Sequence, residues 1–354
     1  MTDTLDSAQL SAPATANPHQ QMLQLLGGKM VAAAVCTLAR IDVADLLADG
    51  PRPVAELASA TGMDADMLYR FLRAAGSAGV FTETADGVYG LTPMGELLRT
   101  DVPGSLRDLA AMYGETSIWN CFGDAIDTLR TGEPTGPKYR GGQGWFPYME
   151  QHPEWAQTFH RAMTGVSEKA IRAAEVFDFG RFGKVADIGG GQGRLLSAIL
   201  GAHPEVQGLL FDQASAVQGA APVLEAAGVA DRAECVVGDF FQSIPGGCDA
   251  YVLKAILHDW NDEDSIRILR NIRAAMAEND NKAAARVLIV EAVVPAGDGW
   301  HFSKAMDIAM GVSLGGKERS EQQWRELLAE AGFELVAVTE TAPPHAIVEA
   351  RPVF

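Results

Sequence analysis

The stretch KAILHDWNDEDS, residues 254–265, sets His258 between an apolar run and a string of acids, Asp259, Asp262, Glu263 and Asp264. An imidazole titrates near ~6.5, so this histidine can take a proton from a substrate at physiological pH. With acids beside it, it could also ligate a metal, or it could be the polar end of a strand. A second stretch, VADIGGGQGRLL, residues 185–196, carries chemistry of another kind. Glycines 189, 190, 191 and 193 let the backbone approach a ligand closely, and the helix start that follows offers free N–H groups. The dinucleotide pattern GxGxxG fails here. Its third glycine falls on Arg194 when counted from Gly189, and on Leu196 when counted from Gly191. Asp187 puts a negative charge where a pyrophosphate would sit, and suits a cationic ligand group better. Asp212 ends the run LLFD, where a carboxylate can accept hydrogen bonds from both hydroxyls of a ribose. Asp239, in VVGDFF, ends the third run, with Phe240 and Phe241 available to pack on a flat ring.

Those residues need a scaffold that brings them to one edge. KVADI, VQGLLF, AECVV, CDAYVL and RVLIVE are near-continuous apolar runs, with helical patterns expected between successive members of the set. That alternation predicts a parallel sheet covered on both faces. FELVAV and HAIVEA follow with a short Pro-containing link, which allows an antiparallel pair at the sheet edge. ILH and LIVE end at the same edge, where open α/β sheets bind ligands. Asn261 can cap a helix, and acids in a first turn favour the positive end of its dipole. This accounts for the acids after His258 without a metal, and no metal is expected.

Upstream, residues 20–50 are helical in pattern. Helices over Val54–Ala60 and Asp64–Gly76, separated by a turn at Gly62, lead into FTETADGVYGLT, a hairpin signal around Asp86-Gly87. Helix, turn, helix and hairpin make a winged helix. Residues 41–100 hold nine acids against four arginines, and the whole chain carries −18 over 354 residues. A nucleic-acid reader needs cationic character, so the winged helix is expected to dimerise rather than bind DNA. Four scattered cysteines, Cys36, Cys121, Cys235 and Cys248, indicate reduced thiols and a cytoplasmic setting. No secretory signal is seen, and no apolar run approaches the ~18 residues of a membrane span. The expected organisation is a disordered lead-in (1–17), a winged-helix dimerisation domain (18–105), a helical linker and substrate-lining region (106–180) and an α/β catalytic domain (181–354).

VADIGGGQG, LLFD, GDFF, LKAILHDW, LIVEAVVP and GGKERS, in this order, closely resemble the S-adenosylmethionine-dependent O-methyltransferases of the caffeic acid and hydroxyindole type. The resemblance runs from about residue 20 to the end. It implies a class I methyltransferase Rossmann-like sheet with an N-terminal helical, winged-helix dimerisation domain, and a homodimer. It implies S-adenosylmethionine as cofactor, held by Gly189, Gly191, Asp212, Asp239, Phe240 and Lys254. It makes His258 the catalytic base, flanked by Glu291 and Glu318 as its orienters. Chemistry agrees, since a phenol of pKa near ~10 is a poor nucleophile until it loses its proton. Trp155, Phe159 and Met163 recur every four residues, and Met306 and Met310 form a similar pair. They match substrate-lining positions of the family, although such stripes also make ordinary core faces. Trp119 and Trp260 are further candidates. The expected acceptor is the hydroxyl of an aromatic small molecule. Methyl transfer to nitrogen or carbon of an aromatic small molecule, a family member recruited for a non-methylating reaction, and a non-enzymatic regulator are the alternatives.

Overall fold

The computed structural model describes residues 17–279 and 282–354. The expected lead-in, apart from Asn17, lies outside the described residues. Contacts divide the chain into two compact units: residues up to 123 with 138–167, and 124–137 with 168–354.

In the first unit, α1 (Pro18–Arg40) opens with a reciprocal cap. Asn17 Oδ1 accepts from the Gln20 amide at 2.9 Å, and the Gln20 side chain returns to the Asn17 amide. The helix buries Ala34, Cys36, Leu38 and Ala39, yet leaves Met22, Leu23, Leu25, Leu26 and Met30 exposed. It corrects one expectation: by length and composition α1 is apolar enough to cross a bilayer. Gln20, Gln21, Gln24 and Lys29 interrupt the apolar run, which hides the character of the segment from a search for unbroken stretches. An exposed apolar face on a helix whose other end is packed in a core marks a contact surface. The expected helical stretch breaks at Asp42, whose φ of 54° is left-handed. Then follow β1 (Arg52–Pro53), α2 (Val54–Thr61), α3 (Ala65–Ser77), β2 (Phe81–Ala85) and β3 (Val88–Leu91). Asp64 caps α3 through the Met67 amide at 2.9 Å. Strand β1 pairs with β3, giving the order β1-β3-β2. Two residues carry no periodicity, so β1 had no sequence signal.

The second unit holds β4 (Lys184–Ile188), β5 (Gln207–Asp212), β6 (Ala233–Val237), β7 (Ala250–Lys254), β8 (Arg286–Ala292), β9 (Phe333–Glu340) and β10 (His345–Pro352). Their order is β6-β5-β4-β7-β8-β10-β9. The first five are parallel, and β10 runs antiparallel to both β8 and β9. Successive residues of β8 feed opposite faces. Val287 and Ile289 join one core cluster with Leu253, Leu269 and Trp324, while Leu288 and Val290 join another with Leu196, Leu210 and Ile347. The longer helices here are α5 (Arg194–Ala202), α6 (Ala220–Ala226), α7 (Asp262–Ala277), α8 (Phe302–Ser313) and α9 (Glu321–Ala331). One expected helix is missing: residues 238–249, between β6 and β7, form a loop. Pro245, Gly246 and Gly247, the last at φ 81°, favour a turn over a helix there. From β4 the chain winds outward through β5 to β6, then returns to the other side of β4 as β7. The order therefore reverses between β4 and β7, and the crevice at their C-terminal ends is the natural ligand site of such a sheet.

Candidate active site

The glycine loop lies beyond β4. Gly189, Gly191 and Gly193 have φ of 68°, 60° and 76°, where a side chain is strained. A Cβ on Gly189 would sit 2.5 Å from the Ile256 side chain, and one on Gly190 2.5 Å from the Asp187 carboxyl. At Gly191 the same atom would meet nothing within 4 Å, so the loop is tight beneath and open at its tip. Asp212 Oδ2 accepts from the Gly191 amide at 2.7 Å, and Oδ1 from the Gln213 amide at 2.6 Å. Asp212 thus braces the loop as well as facing the crevice edge. Asp187 is buried, and among the described residues neither carboxyl oxygen has a hydrogen-bonding partner at ordinary geometry. Burial pushes it up to about 7; the Lys254 ammonium and, weakly, the Leu196 amide pull it down, and Asp212 adds to the rise. Burial lowers Lys254, at the end of β7, against the pull of Asp187, Glu291 and Asp259.

Asp239 stands two residues past the end of β6, not at the strand end, with Oδ1 on the Phe241 amide at 2.8 Å. Phe240 lies edge-on to Phe241 and Trp260, with centroids 4.9 and 6.1 Å away. Trp260 is part of this aromatic packing.

His258 corrects the strand-end expectation. It lies on a 3₁₀ turn, Leu257–Asp259, four residues beyond β7. Ala255 precedes the turn at φ 52°, an uncommon state for a non-glycine residue, of the sort that clusters at functional sites. That backbone aims three amides at one oxygen: Glu291 Oε1 accepts from Ile256 (3.1 Å), Leu257 (2.7 Å) and His258 (3.2 Å). Glu291 therefore holds the backbone under His258, whereas the sequence pointed to the imidazole itself. It is buried on β8, and burial raises it to about 7 against the opposing pull of His258. The ring's partner is Glu318, whose Oε1 lies 2.8 Å from Nδ1. Asp259 Oδ1 lies 3.6 Å from Nε2. Asp259 thus belongs to the His258 site and not to the first turn of α7. Asp262, Glu263 and Asp264 do occupy that turn, with Asn261 Oδ1 capping the Asp264 amide at 2.8 Å. Burial alone would lower His258, but Asp259, Glu318 and Glu291 together raise it to about 10.

The segment GGKERS completes the site from below. The Lys317 amide donates to the His258 carbonyl at 2.8 Å, and the Glu318 amide to Asp307 Oδ1 at 2.9 Å. Asp307, Gly316 and Arg319 escaped the sequence reading. Only a search for close backbone approaches to the His258 turn could have found them.

Of the expected lining residues, Trp155, Phe159 and Met163 are half-buried on α4 (Pro153–Ile171). Trp155 and Phe159 stack at 5.9 Å, and Trp145 is edge-on to both at 4.7 and 5.5 Å. Met306 and Met310 are half-buried on α8, the helix that carries Asp307. Trp119 lies with the Lys29 ammonium 5.9 Å from its ring.

A reversing seven-stranded sheet with a glycine loop, a carboxylate after the second strand and an N-terminal winged helix defines a class I methyltransferase with a dimerisation domain. Residues 119–334 match the O-methyltransferase domain and residues 23–101 the O-methyltransferase dimerisation domain, and the chain belongs to this family of S-adenosylmethionine-dependent methyltransferases. Phenazine O-methyltransferase PhzM of Lysobacter antibioticus is 43% identical over 333 residues, covering 94% of this chain and 96% of the relative. The 8-amino-8-demethylriboflavin N,N-dimethyltransferase of Streptomyces davaonensis is 37% identical, covering 94% and 95%. The structure of the neocarzinostatin O-methyltransferase NcsB1 with S-adenosylmethionine and 2-hydroxy-5-methyl naphthoic acid superposes with a TM-score of 0.80 at 34% identity, covering 96% and 100%. The cofactor is S-adenosylmethionine. The residues present fit it: the loop is open at Gly191, and the buried Asp187 carboxyl suits a cationic ligand.

Proposed function

We propose that the chain transfers the methyl group of S-adenosylmethionine to the hydroxyl of an aromatic small molecule, with His258 as general base. The 2.8 Å contact between His258 Nδ1 and Glu318 carries this reading. It leaves Nε2 as the proton-accepting atom and fixes the ring's orientation. Glu291 sets the height of the turn through its three amides. Bound cofactor supplies an electrophilic methyl on a sulfonium centre, which leaves as a neutral thioether. His258 takes the phenolic proton as the oxygen attacks, so that the nucleophile carries developing negative charge. The base and a phenol titrate in the same range, which makes that transfer nearly balanced. Gly189, Gly191, Asp212, Asp239, Phe240 and Lys254 are the proposed cofactor contacts. Trp155, Phe159, Met163, Met306 and Met310 are the proposed acceptor-facing residues. The dimerisation domain and the exposed apolar residues of α1 support a homodimer, and the scattered cysteines agree with a cytoplasmic setting.

Calorimetry with S-adenosylhomocysteine tests the cofactor site. Asp212→Ala weakens binding by roughly 10–100-fold, the worth of one or two charged hydrogen bonds. Unchanged affinity would remove Asp212 from the site.

The N,N-dimethyltransferase relative favours a second reading, transfer to an aromatic amine. A panel of phenols and anilines with labelled cofactor separates the two. Methylated phenols from wild type alone, with none from His258→Ala, support the oxygen reading. Anilines methylated equally by both proteins support the nitrogen one.

A further inference from the structure

We propose that Arg319 is a positioning residue for methyl transfer, locking the His258 turn and Glu318 into one rigid piece. Arg319 is fully buried. Its Nη1 donates to the Leu257 carbonyl at 3.0 Å and to the Lys317 carbonyl at 3.2 Å. Its Nη2 donates to the Trp260 carbonyl (3.1 Å), Ser265 Oγ (3.1 Å) and Asp262 Oδ1 (2.8 Å). Nε reaches the same Asp262 oxygen at 3.0 Å. Leu257 and Trp260 bracket His258 in the chain, and Lys317 precedes Glu318. One guanidinium therefore ties down both sides of the contact between the imidazole and its carboxylate.

The geometry is more than charge neutralisation. Asp262 is about half exposed and already pairs with Lys317 at 2.9 Å, so a surface lysine serves it. Arg319 instead directs much of its fork at neutral oxygens around His258. The Trp324 ring lies 5.2 Å from the guanidinium carbon and steadies its plane. Backbone pairing of Arg319 with Val293, next to β8, anchors the segment to the strand that bears Glu291. Neighbours in an extended segment point to opposite sides, so Glu318 can face the ring while Arg319 runs beneath the turn. A lysine keeps the charge but cannot reproduce the planar fork.

The inference rests on the proposed role of His258, but its first readout does not. With ¹³Cε1-labelled histidine, the His258 signal among the seven histidines is assigned by its loss in His258→Gln, and its titration is followed by NMR. The charges facing the ring are Asp259 on its own turn, Glu318 from the segment after α8 and Glu291 on β8, and Lys254 from β7 acts on Asp259. In Arg319→Lys the Glu318 contact loosens, and His258 titrates lower than in wild type by about one unit. Turnover of a phenol found in the panel falls by about tenfold or more, with the KM for cofactor within about twofold. Asp262→Asn, a change at a half-exposed partner of the clamp, moves both readouts in the same direction by less, and carries the test if Arg319→Lys does not fold. Folded variants with wild-type titration and wild-type kcat, whatever their Tm, overturn the inference. A shifted titration in Arg319→Lys alongside a fully active His258→Ala would leave the clamp standing and remove the base.

Discussion

Replacing His258 by alanine lowers turnover by roughly 10²–10⁴-fold, the usual contribution of a positioned general base. Binding of S-adenosylhomocysteine stays within about twofold, because the glycine loop and the Asp212 carboxylate that braces it are untouched. An unchanged kcat for a phenol removes His258 from the mechanism. The pH profile carries the same argument with a defined sign. Only the neutral imidazole accepts a proton, so kcat/KM rises with pH until the ring is deprotonated. Burial favours the neutral ring, but Asp259, Glu318 and Glu291 outweigh it and hold the imidazolium up to about 10. The rising limb therefore lies well above the ordinary ~6.5 of histidine. Glu318→Gln removes one of the stabilising carboxylates, so the limb moves to lower pH while the maximal rate falls. A limb that stays in place or moves upward in Glu318→Gln refutes this electrostatic account.

The second large effect comes from Gly316→Ala, a single methyl group with no chemistry of its own. An added Cβ would lie 2.1 Å from the His258 carbonyl oxygen, 2.8 Å from the Asp259 carbonyl carbon and 3.0 Å from Asp259 Cα. All three are backbone atoms, so no side chain can swing aside. The turn must move, which breaks the hydrogen bond that the Lys317 amide donates to the His258 carbonyl and pulls the ring from Glu318. Overpacking of this kind costs about 1–3 kcal/mol of stability. Displacing a base by about 1 Å costs on the order of 10²-fold in rate. The expected protein is folded, binds S-adenosylhomocysteine and turns over about a hundredfold more slowly. Wild-type kcat in Gly316→Ala would mean that the contact between the two segments does not set the position of His258.

Much of this was legible in the residues themselves. Apolar runs spaced by helical patterns specified the parallel sheet, because period and burial follow directly from residue type. The glycine loop announced itself through four glycines in five positions, and the failed dinucleotide pattern together with Asp187 pointed away from a pyrophosphate and toward a cationic ligand group. Asn261 and the acids after it gave the start of α7, since capping is local. Asp212, Glu318 and His258 were reachable because their order along the chain matched a family whose sheet brings them together.

What the chain could not show in one dimension was settled by packing. The helix expected between β6 and β7 is a loop, because Pro245 and its glycines favour a turn there. Glu291 turned from a ring partner into the acceptor for three amides, a role set by the left-handed Ala255 and invisible in residue type. Asp259 moved from helix electrostatics into the His258 site, since it closes the 3₁₀ turn that carries His258 and lies ahead of the Asn261 cap of α7. Arg319 and Gly316 matter only through their distance to a turn about sixty residues earlier in the sequence. Local preferences and apolar pattern, which act over a few residues, were written in the sequence. The approach of GGKERS to the His258 turn is a non-local contact, decided only when the folded sheet brought the two segments together.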